Sequence, residues 1–118
     1  MANTPTSLPV TFIRNLSLDP AQHPRGQAHL SAASGLVRVR QRLYVVADDE
    51  LHLGVFEEHA APGAPGAEPV PGTLVRLLDG NLPRDKGKRK EAKPDLETLA
   101  QLPPLPGCPA GALLALGS

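Results

Sequence analysis

Carboxylate side chains are the residues of this chain with the clearest potential for chemistry. Asp48, Asp49 and Glu50 stand in a row, and Asp95 and Glu97 follow at a spacing of two. Calcium takes about six to eight oxygen ligands, so carboxylates from separate segments can build one site. Residues at i and i+2 of a strand share a face, whereas adjacent residues do not. The preferred interpretation is a solvated turn for Asp48, Asp49 and Glu50 and a solvated strand start for Asp95 and Glu97, and the metal site is the alternative. The predicted metal ligands are Asp48, Asp49, Asp95 and Glu97.

A basic run is the second candidate site. Residues 84–93 hold half of the chain's 12 lysines and arginines. Such a run can bind nucleic acid or phosphate by charge alone, but it contains no aromatic side chain on which a base could stack. A solvated surface is therefore the preferred interpretation, and nucleic acid is not the expected partner. The predicted binding residues are Arg84, Lys86, Lys88, Arg89, Lys90 and Lys93.

No catalytic residue is predicted, and the enzyme question stays open with a preference for no enzymatic activity of this chain. The single cysteine, Cys108, excludes an internal disulfide and a cysteine zinc site within one chain. The four histidines show no metal-ligand spacing, and Ser34 lacks the Gly-x-Ser-x-Gly context of a nucleophile. A formal net charge of zero gives the whole chain no electrostatic preference for nucleic acid or a membrane.

Short strands are the elements predicted to position these residues. Apolar runs with period-two alternation cover 36–40, 43–47 and 51–56, with tight turns between them. Residues 73–78 supply a fourth strand that ends at a turn. Four strands in so short a length match one blade of a β-propeller, and they also fit half of a sandwich or barrel. The fold class is all-β, with one four-stranded antiparallel propeller-like blade plus the start of a second.

The flanking segments complete the predicted organisation. Residues 8–18 suit an edge strand, which tolerates Pro9, and the basic run can form one short helix that stops before Pro94. The last apolar run, Ala112 to Leu116, indicates a truncated chain, because natural termini tend to be polar. Four parts result: an edge strand and turn at 1–27, a first blade at 28–80 with a Pro/Gly-rich loop at 57–72, a basic linker at 81–94, and the start of a second blade at 95–118.

Two segments carry a resemblance to a known family. The blade motif of bacterial phytase-like β-propellers resembles Ser34-Gly-Leu-Val-Arg-Val-Arg-Gln-Arg-Leu-Tyr-Val-Val-Ala-Asp-Asp. The start of another blade in those proteins resembles Lys93-Pro-Asp-Leu-Glu-Thr-Leu. The chain is thus similar to the N-terminal part of a bacterial propeller family of the "esterase-like activity of phytase" type. The resemblance implies calcium and phosphate sites in a central channel, which needs more blades than this chain holds.

Three functions follow as expectations. The preferred one is a binding or scaffold module without catalysis of its own. The alternatives are a calcium-dependent phosphoesterase in the full-length protein and nucleic-acid or phosphate binding through residues 84–93. The expected partners are the missing C-terminal blades or another protein, and the isolated chain is expected to be marginally stable, oligomeric or partly disordered. The start of the chain lacks a secretion signal and its apolar runs fall short of the roughly 20 residues that span a bilayer, so a cytoplasmic location without membrane contact is expected.

Overall fold

A computed structural model describes residues 7–12, 14–58 and 70–118. A 3-10 turn at Pro20–Gln22 precedes the regular elements. Within the described ranges these elements are β1 (Ala33–Val39), β2 (Arg42–Ala47), β3 (His52–Glu57), β4 (Thr73–Arg76), α1 (Lys86–Ala92), β5 (Leu96–Leu102) and β6 (Ala112–Gly117). The fold is therefore mostly β, and the short helix predicted within the basic run is confirmed.

The first sheet is a four-stranded antiparallel meander in the order β1-β2-β3-β4. Its register pairs Leu43 with Phe56 and Leu53 with Val75. The predicted four antiparallel strands are confirmed, although β4 ends at Arg76, earlier than expected. The ladder stops there because the next two amides, those of Leu77 and Leu78, both donate to the Leu51 carbonyl.

The second sheet is the hairpin β5–β6, in which Leu99 pairs with Ala115. The strand predicted from Asp95 onward is therefore confirmed as β5. Gly111, at φ 89°, turns the chain into β6, and a Cβ there would lie 2.7 Å from the Leu102 carbonyl oxygen. One face of the hairpin packs against the first sheet, where β5 contacts β1 and β2.

Both faces of the first sheet are covered by apolar side chains, because successive residues of β2 and β3 point to opposite faces. The segment before β1 covers one face, and the hairpin covers the other. The first layer contains Leu16, Leu18, Leu30, Leu43, Val45, Phe56 and Leu74. The second layer contains Tyr44, Val46, Leu53, Val55, Leu96, Leu99, Leu113 and Ala115. The hairpin contributes the buried Leu96 and the half-buried Leu99, Leu113 and Ala115 to the second layer, so it is part of the core.

The edge strand predicted at residues 8–18 is wrong for the described part of that segment. Residues 7–12 and 14–17 form no strand, and Leu18 makes only an isolated parallel bridge to Gly72. The Leu18 amide donates instead to Ala28 at 2.8 Å. Pairing ends there because the chain enters the 3-10 turn, where Asp19 accepts a hydrogen bond from the Ala21 amide.

The predicted irregular loop at 57–72 lies mostly outside the described residues, since positions 59–69 are not among them. Gly72, at its end, lies so close to the Phe56 ring that a Cβ would meet it at 2.5 Å. In the ranges described, no helix is both long enough and apolar enough to cross a membrane.

Candidate functional site

The turn between β2 and β3 carries Asp48, Asp49 and Glu50, and we call these three residues the acidic turn. The Asp48 amide donates to the Ala32 carbonyl at 2.9 Å, which ties the turn to the residue before β1. The three carboxylates contact three different parts of the chain. Each contact crosses a long sequence separation, so the acidic turn joins segments that the chain itself keeps apart.

Glu50 is buried, with 1% of its surface exposed, and it holds the loop before β1. Its carboxylate accepts hydrogen bonds from the guanidinium of Arg25 and from His23 Nε2, the latter at 2.7 Å. His23 Nδ1 accepts the amide hydrogen of Arg25 at 3.0 Å. A ring nitrogen that accepts cannot carry a proton, so these bonds assign the neutral tautomer with its proton on Nε2. The ion pair is therefore Glu50 with Arg25, and His23 orients both.

Asp49 holds helix α1. Its Oδ2 accepts from Arg89 Nε at 2.8 Å and from the Ser31 hydroxyl at 3.0 Å. Arg89 is buried and also donates to the carbonyls of Pro83 and Arg84. Burial acts to raise the pKa of Asp49, but the hydrogen bonds from Arg89 and Ser31 and the nearby positive charges outweigh it and lower the pKa. Asp49 is therefore ionised, and Arg89 is its counter-charge.

Asp48 holds the segment that links α1 to β5. The Lys93 ammonium bonds Asp48 and lies 3.2 Å from Asp95 Oδ1. The hydrogen bond with Asp48, followed by that with Asp95, raises the pKa of Lys93. Asp95 adopts φ 51°, a left-handed conformation that aspartate accepts more readily than most residues. The ammonium thus occupies the position between two of the carboxylates predicted to bind calcium.

The four predicted metal ligands do not converge on one point. Asp48 and Asp95 meet at Lys93, Asp49 pairs with Arg89, and Glu97 is exposed. A register shift between Leu96 and Thr98 interrupts the alternation that was expected to align Glu97 with Asp95. Among residues 7–12, 14–58 and 70–118, no group of three or more His, Cys, Asp or Glu side chains could hold a metal ion. As arranged, these donors do not fit calcium, and the calcium site stays a prediction.

The basic run divides into two functional groups. Helix α1 begins after Asp85, whose side chain accepts the Lys88 amide at 2.9 Å. Arg89 and Lys93 point to the acidic turn and are paired there, which sequence reasoning did not anticipate. The remaining four side chains of the predicted set are exposed. They are Arg84, Lys86, Lys88 and Lys90.

The cavity nearest the acidic turn is too small for a substrate. It is lined by Arg25, Glu50, His52 and their neighbours and has a volume of about 10 Å³, enough for one water molecule. Burial, followed by the charge of Arg76, lowers the pKa of His52. A more open groove of about 160 Å³ lies between Tyr44 of the first sheet and Leu113 of the hairpin. Its lining is mostly apolar, so it extends the core more than it resembles a reaction site.

The comparisons with known proteins assign the chain to a family. Residues 29–118 match the family of unknown function DUF6929. Because this match covers most of the chain, from just before β1 to the last residue, the chain belongs to that family. No curated protein and no solved structure matches the chain.

Proposed function

We propose that this chain is a binding or scaffold module of β-propeller type, without catalysis of its own. The observation that carries the proposal is the pairing of all three carboxylates of the acidic turn with cations from three other segments. Glu50 pairs with Arg25, Asp49 with Arg89, and Asp48 with Lys93. The densest acidic cluster in the chain thus serves to hold the fold together.

The burial of these pairs supports a structural role. The side chains of Arg25 and Glu50 are 6% and 2% exposed. Removing one partner from such a pair leaves an uncompensated buried charge, which costs about 3–5 kcal/mol. A group that must exchange ligands or protons would lose this stabilisation at every cycle. The acidic turn is better suited to fixing the N-terminal loop, α1 and the hairpin around the first sheet.

The propeller part of the proposal rests on the layering. Propeller blades are four-stranded antiparallel sheets that pack face to face. The meander β1–β4 has the strand number and order of one blade, and the hairpin packs on its face through Leu96 and Leu99. On this interpretation β5 and β6 are the first two strands of the second blade. A partner chain that supplies further strands would extend the stack.

A double-mutant cycle on Asp49 and Arg89 tests the structural role. We expect Asp49→Asn and Arg89→Gln each to lower the free energy of unfolding, with a coupling energy of about 1.5–3 kcal/mol between them. The matched control is the exposed pair Arg42 and Glu57, for which the coupling should stay below about 0.5 kcal/mol. Equal coupling in the two cycles would contradict the proposal.

The calcium-dependent phosphoesterase remains a second candidate because Asp48 and Asp95 do approach one cation, the Lys93 ammonium. The scaffold proposal predicts that millimolar calcium leaves the melting temperature unchanged. The calcium hypothesis predicts that calcium raises it, and that Asp48→Asn abolishes the rise. Magnesium at the same concentration controls for ionic strength.

Phosphate or nucleic-acid binding is a third candidate, which the four exposed cations around α1 favour. It predicts binding that weakens steeply with salt. Neutralising Lys86, Lys88 and Lys90 together should abolish such binding, whereas neutralising Arg38 on β1 and Arg40 in the turn after it should not. Binding that is insensitive to the α1 substitutions would remove this candidate.

A further inference from the structure

The segment before the fold carries an exposed apolar pattern that the fold does not use. Leu8, Val10 and Phe12 are 81%, 91% and 75% exposed. Their period-two spacing is that of a β-strand with one apolar face. The backbone of residues 7–12 forms no hydrogen bond with any other described residue. A strand-like sequence is therefore present without a sheet to receive it.

The second sheet has an open edge of matching character. Strand β6 pairs with β5 on one side, and no strand in the described part of the chain pairs with its other side. Leu114 and Leu116 on this strand are 42% and 53% exposed. Sheet edges are normally protected by charge, proline or a bulge. Residues 112–117 contain no charged residue and no proline, so neither feature protects this edge against a further strand.

We propose that residues 8–12 of one copy of this chain add as a third strand to the β6 edge of a second copy, and that the two copies exchange these strands reciprocally. A strand added to a sheet edge gains backbone hydrogen bonds as well as side-chain contacts. One exchanged strand of five residues buries less surface than the roughly 1,200 Å² of stable interfaces. Reciprocal exchange doubles that surface and closes the assembly as a two-fold dimer.

The position of Pro9 agrees with this pairing. Successive residues of a strand direct their amide and carbonyl groups to opposite sides, so the backbone groups of Leu8, Val10 and Phe12 would all form hydrogen bonds with β6. Pro9 and Thr11 would then face away from β6. The missing N–H of Pro9 costs nothing on that side, and it prevents another strand from adding there. Cross-strand contacts of Val10 and Phe12 would cover Leu114 and Leu116.

A second copy is the favoured partner because both surfaces lack charged side chains. Residues 7–12 contain no charged side chain, and neither does β6, although the chain as a whole carries 24 lysine, arginine, aspartate and glutamate residues in its length of 118. Arg14 anchors the base of the segment by donating to the Glu57 carbonyl at 2.7 Å. The anchor leaves residues 8–12 exposed beside the fold and available to a neighbour.

Sedimentation velocity of the complete chain over the micromolar range tests the exchange. We expect a dimer, and we expect Val10→Asp and Leu114→Asp each to weaken it by more than about tenfold, because each puts a charge into the new sheet face. The controls place the same charge elsewhere: Thr11→Asp on the opposite face of the segment, and Thr73→Asp at an exposed position of β4 in the first sheet. Val10 is exposed, so its substitution should leave the circular dichroism spectrum and melting of the monomer intact. A monomeric parent chain, or control variants as disruptive as Val10→Asp, would overturn the proposal.

Peptides that compete for the β6 edge give the sharper measurement. A synthetic peptide of residues 7–14 should convert the dimer to monomers with bound peptide. N-methylation at Thr11 should leave this activity unchanged, because that amide faces away from β6. N-methylation at Val10 should reduce it by about tenfold or more, since one ladder hydrogen bond is lost and the strands are separated. Equal activity of the two methylated peptides, or inactivity of the parent peptide, would overturn strand addition as the mode of association.

Discussion

The acidic turn and strand β6 each depart from the usual rule that charged side chains are exposed and apolar side chains are buried. The turn buries a charged residue, and β6 exposes apolar ones. In the turn, the carboxylate residue Glu50 is buried, and it pairs with Arg25 from a distant loop. In β6, Leu114 and Leu116 are apolar and about half exposed. Charged residues are almost never buried without partners, and extended apolar surface is rarely left uncovered. The two regions therefore need different explanations.

The difference separates what holds the chain together from what it can offer to others. Every side chain of the acidic turn already pairs with a basic residue of the same chain, so the turn contributes to the internal structure. The outer face of β5–β6 has no such cover among the described residues, while the inner face packs Leu99 and Leu113 onto the first sheet. Substitutions at the turn should thus change stability, and substitutions on the outer face should change association.

Glu50→Gln should have the largest effect on stability. The substitution keeps the shape of the side chain but leaves Arg25 charged and buried without its counter-ion, and it weakens the hydrogen bond from His23. We expect a loss of about 3–5 kcal/mol in the free energy of unfolding, which is a large part of the stability of a domain of this size. Urea denaturation followed by circular dichroism measures it.

The matched control for that substitution is Glu57→Gln. Glu57 also pairs with an arginine, Arg42, but both side chains are half or more exposed. Its loss should cost no more than about 1 kcal/mol. A Glu50 variant as stable as the Glu57 variant would show that the buried cluster contributes no more than a surface ion pair.

The sequence predicted the first sheet better than it predicted the ion pairs of the acidic turn. The reason is how far apart in the sequence the interacting residues lie. Alternation and turn residues are local, so β1 to β4 and β5 could be found from neighbouring positions. Residues 8–18 show the limit of the same method. Their alternation is genuine, but a strand also needs a partner, and Leu18 finds one only in a single bridge to Gly72.

The candidate site was predictable only in part. The acidic residues were found by their density, but their partners lie at sequence separations of 25 between Arg25 and Glu50 and 40 between Asp49 and Arg89. No local pattern indicates which basic residue of the run will turn inward. Arg89 does so because helix α1 directs it to Asp49, while Lys88 and Lys90 on either side stay exposed. The role of His23 had no sequence signal, since it depends on a turn that closes only in the fold.

The substitutions Leu96→Ala and Leu116→Ala compare how much the inner and outer faces of the hairpin contribute to stability. Leu96 is buried against Val46 and Leu53, so we expect a loss of about 2–4 kcal/mol in the free energy of unfolding. Leu116 is half exposed, and in dilute solution its loss should cost less than about 1 kcal/mol. Thermal and urea unfolding at sub-micromolar and higher micromolar concentrations measure both. Equal losses in dilute solution would mean that the outer face is already covered within one copy.

The smallest expected effect is on the pH dependence of stability, and it isolates Asp49 from the rest of the acidic turn. The lowered pKa of Asp49 reflects the hydrogen bonds and charges that outweigh its burial, and Arg89, Ser31 and Arg25 supply them. The unfolded chain therefore takes up a proton at Asp49, near pH 3.9, before the folded chain does. The stabilisation is complete above that pH and is lost as the pH falls through the lower folded pKa. Asp49→Asn should flatten the acid limb of the curve of stability against pH. Lys93→Met should flatten only the alkaline limb. The raised pKa of Lys93 gives stability that is lost as the pH rises through its folded pKa. An acid limb unchanged by Asp49→Asn in urea denaturation would show that the contact with Arg89 does not persist in solution.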